Sequence, residues 1–168
     1  MKIFLVGFMG SGKTTIGRRL AEVLGFDFVD TDRFIEMQHN TTVDQIFAQQ
    51  GETAFRKMEN DLLQELQQRD VAVISTGGGM PCHSDNMDIM LAGGKVVYLK
   101  TSPQALAHRI LHAQNERPLI KGKTETELYQ FIVEKLEERE TFYNRAHIVV
   151  QTEFLLIEEL LQSLHLMK

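Results

Sequence analysis

Five short apolar runs, "KIFLVGF", "GFDFVD", "VAVIST", "KVVYLK" and "AHIVVQ", recur along the chain, and consecutive runs are separated by at least one segment with apolar residues every three or four positions. Near-continuous apolar runs bounded by turn residues are the pattern of strands buried on both faces, and a 3.6-residue period is that of a helix with one covered face. Their alternation predicts an α/β fold: a parallel sheet flanked by helices. Helix boundaries carry their own signals. "KTTIGRRLAEVLG" sets Ile16, Leu20, Val23 and Leu24 at helical spacing and ends on the stop residue Gly25. Thr42 and Gln45 have capping-box spacing ahead of "VDQIFAQQ", and Ser102-Pro103 reads as an N-cap followed by a first-turn proline. From Gly51 to Arg69, Phe55, Met58, Leu62, Leu63 and Leu66 mark a long helix, while "NMDIML" and "FLLIEELLQSLHL" read as core-facing helices.

A chain of 168 residues suffices for one domain with a substantial core. Its 43% hydrophobic content is ordinary, no apolar run reaches the ~18 residues of a membrane span, and no charged-then-apolar leader opens it. The single cysteine, Cys82, has no internal disulfide partner, so a cytoplasmic location is expected. A net charge of −5 argues against a broad nucleic-acid footprint and makes the basic residues local tools. A monomer is expected. His108 and His112 stand four apart, but "HRILH" lacks the glutamate and third ligand of a zinc site.

In open α/β sheets ligands collect at the carboxyl ends of the strands. Behind the first predicted strand stands "GFMGSGKTT", with the spacing Gly7-x4-Gly12-Lys13-Thr14 of a P-loop. Such a turn aims backbone N–H groups at a polyphosphate, and the following helix presents its positive end to the anion. Lys13 would reach the outer phosphates and Thr14 would ligate magnesium; the plainer alternative is a flexible glycine turn. Behind the second strand, Asp30 and Asp32 lie two apart, which in extended chain aims both carboxylates to one side, one for magnesium and one for a substrate hydroxyl. Alternatively the pair begins a helix at Thr31 or Asp32. Behind the third, "TGGG" (Thr76 to Gly79) lets a small ligand touch the backbone, or is a turn. "ERPLIKGKTE" joins Arg117, Lys121 and Lys123 to Pro118 and Gly122, the composition of a lid that closes over a nucleotide or of a solvated loop. Arg56 and Glu59, three apart on the long helix, suggest a surface ion pair worth a few tenths of a kcal/mol. Arg139 on its own reads as a charge on an exposed face, and Cys82 as a structural thiol.

Taken in order, "GFMGSGKTTIG", "DTD", "FRKME", "TGGG", "RPL" and "ERETFY" resemble shikimate kinase over most of the chain. The resemblance implies a P-loop, nucleoside-monophosphate-kinase-like fold: a five-stranded parallel sheet, one domain over 1–168, a substrate-binding helical region at about 31–62 and a mobile lid at about 111–124. It implies transfer of the ATP γ-phosphate to the 3-hydroxyl of shikimate with Mg2+. ATP would be held by Gly10, Ser11, Gly12, Lys13, Thr14 and Thr15, with Arg109 near adenine and Arg117 swinging in with the lid. Thr14 and Asp30 would lie on the metal side. Asp32, Phe55, Arg56, Glu59, Gly77, Gly78, Gly79 and Arg139 would bind shikimate, the two arginines gripping its carboxylate. Lys13, Asp32 and Arg117 would carry catalysis. Between Arg109 and Arg117 the interval is one residue longer than the family pattern, and "QTEFLLIEE" lacks the basic, proline-containing adenine loop of some members. The nearest alternative is another small-molecule kinase of the same fold, acting on gluconate or a nucleoside monophosphate. No NKxD guanine signature is present.

Overall fold

The computed structural model describes residues 1–113, 122–153 and 155–165. Five strands, β1 (Lys2–Val6), β2 (Asp27–Asp30), β3 (Ala72–Ser75), β4 (Lys95–Lys100) and β5 (Ile148–Gln151), form one sheet in the order β2-β3-β1-β4-β5. Every pairing is parallel, with Ile3 opposite Val73 and Lys95 at the centre. The helices are α1 (Lys13–Leu24), α2 (Thr31–His39), α3 (Val43–Leu66), α4 (Asn86–Gly93), α5 (Pro103–Leu111), α6 (Glu125–Tyr143) and α7 (Ile157–Ser163). A 3-10 turn spans Met80–Cys82.

Alternation along the strands divides the core into two layers, because successive side chains leave opposite faces of the sheet. Ile3, Leu5, Val73, Val97 and Leu99 pack with Leu20 and Ala21 of α1 and Leu160 and Leu161 of α7. Phe4, Val6, Ile74, Val96 and Tyr98 face the other way, onto a larger layer that includes Leu62, Leu63 and Leu66 of α3, Leu106 of α5, and Ile132 and Tyr143 of α6. The central strand is sealed on both sides, with Ile3 through Val6 fully buried. Its carboxyl end lies between those of β3 and β4, so the loop after β1 sits where the connections diverge to either side of the sheet.

The expected caps are present. Gly25 closes α1 in the left-handed conformation, Thr42 and Gln45 form a reciprocal capping box at α3, and Ser102 caps α5 ahead of Pro103. Thr124 and Glu127 form a second box that starts α6 earlier than its apolar pattern suggests. The two helical segments read on either side of Gly51 are joined there, where φ 84° and ψ 171° break the helical path and re-aim the axis. Val23 departs from its stripe and is 55% exposed, because the buried line of α1 runs through Gly17, Leu20 and Ala21. Among the described residues no helix is long and apolar enough to cross a membrane.

Gly17 sets how closely α1 lies on the sheet. A Cβ there would come within 2.7 Å of Phe28 Cε2 and 3.1 Å of Leu5 Cδ1, and Leu5 is immobilised in the core. Gly17→Val should therefore cost about 1–3 kcal/mol by overpacking, despite valine's better helix propensity. Thermal melts should register about 2–4 °C per kcal/mol lost; an unchanged melting temperature would show that the helix has room to lift.

Candidate active site

β1 hands the chain to a loop whose shape depends on Gly10 (φ 80°) and Gly12 (φ 93°), both in the left-handed region that side chains rarely adopt. Ser11 N closes the turn onto Phe8 O at 3.2 Å, and α1 then begins at Lys13 with its N-terminal turn at the cleft. Lys13 is buried, and its Nζ donates to Gly7 O (2.8 Å) and Phe8 O (2.9 Å), which draws the ammonium across the mouth of the loop. Thr14 Oγ1 donates to Asp30 Oδ2 at 2.8 Å, bringing two hard oxygen donors together. Arg109 Nη1 donates to Gly10 O at 3.3 Å from the far rim.

Asp30 and Asp32 do not share an extended segment. Asp30 ends β2 and caps α2, its Oδ1 accepting from Arg33 N, whereas Asp32 stands in the first turn of the helix. The helix-start alternative is thus what the chain adopts: the helix begins at Thr31, with Asp30 as its cap. Both carboxylates still line the cleft, because the strand end and the helix start meet there. Thr31 between them is wholly buried, and its Oγ1 accepts from Gly77 N at 2.9 Å, tying this corner to the turn after β3.

Three glycines after β3 form a shelf under charged side chains. A Cβ on Gly77 would lie 2.6 Å from Asp32 Oδ1 and 3.0 Å from Glu59 Oε1. On Gly79 it would lie 2.6 and 2.7 Å from the two terminal nitrogens of Arg56, and on Gly78 it would be 3.4 Å from Arg139 Nη1. The shelf therefore carries no side chains because guanidinium and carboxylate groups already occupy that space. It also brings Arg56 of α3 and Arg139 of α6 to one small area from opposite sides.

The pairing of Arg56 with Glu59 is not the surface contact that their spacing suggests. Arg56 Nη1 meets Glu59 Oε2 at 2.7 Å, and Glu59 has no exposed surface. The helix turns this face toward the sheet end, where Phe55 and Leu62 are also buried. Burial pushes the Glu59 carboxyl up to about 7; Arg56 opposes the rise, nearby Asp32 adds to it, and Arg139 works against it. For Arg56 the balance falls the other way. Burial works against its charge, but Glu59 and Glu52 together hold the guanidinium above its ordinary range. Burial likewise pushes the Cys82 thiol up to about 11 against the pull of Arg139 and Arg56, which suits a structural thiol. Ser11 Oγ and Glu59 Oε1 are buried with no hydrogen-bond partner among the described residues.

One cleft of about 1090 Å³ takes in all of these groups: the loop residues Gly10 to Thr15, Asp30, Asp32, Phe55, Arg56, Glu59, Gly77 to Gly79, Arg109 and Arg139. Arg117 and Lys121 lie outside the described residues, as do positions 114–121 of the lid expected at about 111–124. The structure adds residues that spacing alone does not single out. Phe47 lines the cleft with its ring 4.8 Å from that of Phe55, and Glu52 Oε1 accepts from Arg56 Nε and Nη2 at 3.2 and 3.1 Å. A signal for Phe47 exists in the sequence: its neighbour Ile46 takes the core position of that turn, which leaves Phe47 for another wall.

A parallel sheet, a glycine loop closed by a buried lysine, and acidic and basic groups facing that loop across one cleft define a P-loop phosphotransferase. The family model described as shikimate kinase matches residues 9–165. A shikimate kinase of Parabacteroides distasonis is 46% identical over 94% of this chain and 91% of its own length. Among solved structures, the shikimate kinase from Bacteroides thetaiotaomicron superposes with a TM-score of 0.95 at 38% identity over 98% of both chains. The Acinetobacter baumannii shikimate kinase in complex with shikimate reaches 0.84 at 36% identity over 98% of this chain and 90% of that one. The chain belongs to the shikimate kinase family, ATP-dependent phosphotransferases that act on an alcohol group.

The raised pKa of Glu59 has a consequence for stability. Below the ordinary carboxylate range both folded and unfolded chains carry the proton. Between about 4.5 and 7 the folded chain keeps it while the unfolded chain releases it, so this group's contribution falls as pH rises through that window. Melting temperature measured against pH should show wild type losing ground to Glu59→Gln from pH 5 to 7 and running parallel above pH 8. A constant difference throughout would place the Glu59 pKa in the ordinary range.

Proposed function

We propose that this chain transfers the γ-phosphoryl group of ATP to the 3-hydroxyl of shikimate, giving shikimate 3-phosphate and ADP, a step toward the aromatic amino acids. Supporting this reading is the convergence of Arg56 and Arg139 on the glycine shelf, in the same cleft as the P-loop and Asp32. Planar guanidinium forks suit a planar carboxylate, and two of them suit an acid that must be oriented as well as bound.

In this reading the amides of Gly10 to Thr15 and the start of α1 cradle the polyphosphate, with Arg109 at the nucleotide rim. Lys13 exchanges its loop carbonyls for phosphate oxygens. The paired hydroxyl and carboxylate of Thr14 and Asp30 would hold magnesium, which would supply positive charge against the phosphates. Asp32, beside Gly77, grips ring hydroxyls and accepts the proton of the attacking oxygen. Glu59 holds Arg56 toward the carboxylate, Phe55 and Gly77 to Gly79 bound the ring, and Arg117, outside the described residues, is the cation assigned to the transferring phosphoryl group. Transfer of a phosphoryl group asks chiefly for alignment and charge neutralisation, so in-line seating matters more than the strength of the base.

ADP release from MgATP, followed with shikimate, gluconate and nucleoside monophosphates in parallel, tests the reading. Shikimate alone should support turnover; preference for either other acceptor would overturn it. Asp32→Asn should lower kcat roughly 10²–10⁴-fold with little change in melting temperature. Arg139→Ala should raise KM for shikimate roughly 10–100-fold while KM for ATP stays near wild type. Wild-type kinetics in both variants would remove the shelf from the substrate site.

A further inference from the structure

Tyr143 closes α6 with no exposed surface, one turn beyond Arg139. Packing alone does not explain a tyrosine there, because phenylalanine would fill the same space without burying a hydroxyl, and an unpaired buried hydroxyl is costly. That hydroxyl donates to Gly78 O at 2.5 Å. Turn hydrogen bonds engage the neighbouring carbonyls, Met80 N to Gly77 O and Cys82 N to Gly79 O, so the phenol takes the carbonyl at the middle of the shelf. Arg139 lies over the same glycine, since a Cβ on Gly78 would be 3.4 Å from its Nη1, and its guanidinium carbon lies 5.2 Å above the Phe8 ring. The helix is itself pinned between these two residues: Glu140 Oε1 accepts from Tyr98 Oη at 2.9 Å and pairs with Lys100 Nζ at 3.2 Å, both on β4.

We propose that Tyr143 is a positioning residue for the acid-binding half of the site, its hydroxyl tying the end of α6 to Gly78 so that Arg139, one turn back on the helix, meets the substrate together with the shelf. The inference rests on the reading that Arg139 holds the substrate carboxylate. Preorganisation of this kind is expressed in binding, because an arginine free to wander must be ordered when the ligand arrives.

A double-mutant cycle on Tyr143→Phe and Arg139→Ala separates the two roles. Tyr143→Phe should raise KM for shikimate roughly tenfold, the loss expected when a buried carbonyl is left without its hydrogen-bond donor. KM for ATP and kcat at saturating shikimate should stay within about twofold. In the Arg139→Ala background the same substitution should add less than about twofold, because the residue it positions is gone. An unchanged shikimate KM in Arg139→Ala would overturn the assignment of Arg139 itself. If Arg139→Ala raises KM but Tyr143→Phe does not, or if the Tyr143→Phe effect multiplies in full in the double variant, the positioning role fails. A lowered melting temperature with both KM values raised alike would reduce Tyr143 to a packing residue and overturn it too.

Discussion

A carboxylate with no exposed surface, set under a shelf of glycines at the carboxyl edge of a parallel sheet, is the constraint on which the half of the cleft that holds Arg56 and Arg139 depends. Glu59 is held there at an electrostatic cost that its raised pKa records. Arg56 is the partner that makes the burial tolerable, and the ion pair in turn fixes where the guanidinium points. With those groups in place, Gly77 and Gly79 have no room for side chains, since any Cβ would meet Asp32, Glu59 or Arg56. A surface ion pair could not impose this, because solvent and side-chain entropy leave an exposed pair free to separate.

The opposite half of the cleft is built from different material. Around Lys13 the groups that matter are main-chain amides, a helix terminus and backbone carbonyls, all consequences of a left-handed turn after a buried strand. Such a cradle recognises phosphate wherever the loop occurs and carries little information about the acceptor. Thr14 and Asp30 connect the halves, since Asp30 both caps α2 and bonds the first turn of α1. Thr31 adds a second tie, from the start of α2 to Gly77. The spacing between nucleotide cradle and acid shelf is thus set by short contacts among strand ends rather than by long loops, as alignment-dependent chemistry requires.

How much of this the sequence discloses depends on the range of the interaction. Strands, caps and the P-loop depend on neighbours within a few positions, and each is legible in "KIFLVGF", in Thr42 with Gln45, or in the glycine spacing from Gly7 to Gly12. Groups whose meaning depends on distant partners are not. Arg56 and Glu59 look like an ordinary helical pair until α3 is docked on the sheet end and one of them loses all contact with solvent. Asp30 and Asp32 fit a shared strand face and a helix start equally well by local pattern, and only the structure ends β2 between them. Tyr143 has no local signature at all, since its hydroxyl partner is 65 positions away. That Arg56, Glu59 and Asp32 line one cleft with the P-loop is something periodicity and spacing do not signal.

The division between halves also decides where acceptor specificity can reside. Changing the acid-facing groups means altering α3, α6 or the turn after β3, and none of these contributes a strand to the sheet or an amide to the phosphate cradle. Arg56 and Phe47 lie on either side of the Gly51 break in α3, so the pitch of one helical segment against the other sets the distance between the aromatic wall and the guanidinium. On the far side, Tyr98 and Lys100 hold Glu140 and with it the turn of α6 that presents Arg139. A cleft organised in this way can keep its phosphoryl-transfer geometry while its acceptor wall changes, because the wall is anchored through side-chain contacts of its own rather than through the loop that seats the nucleotide.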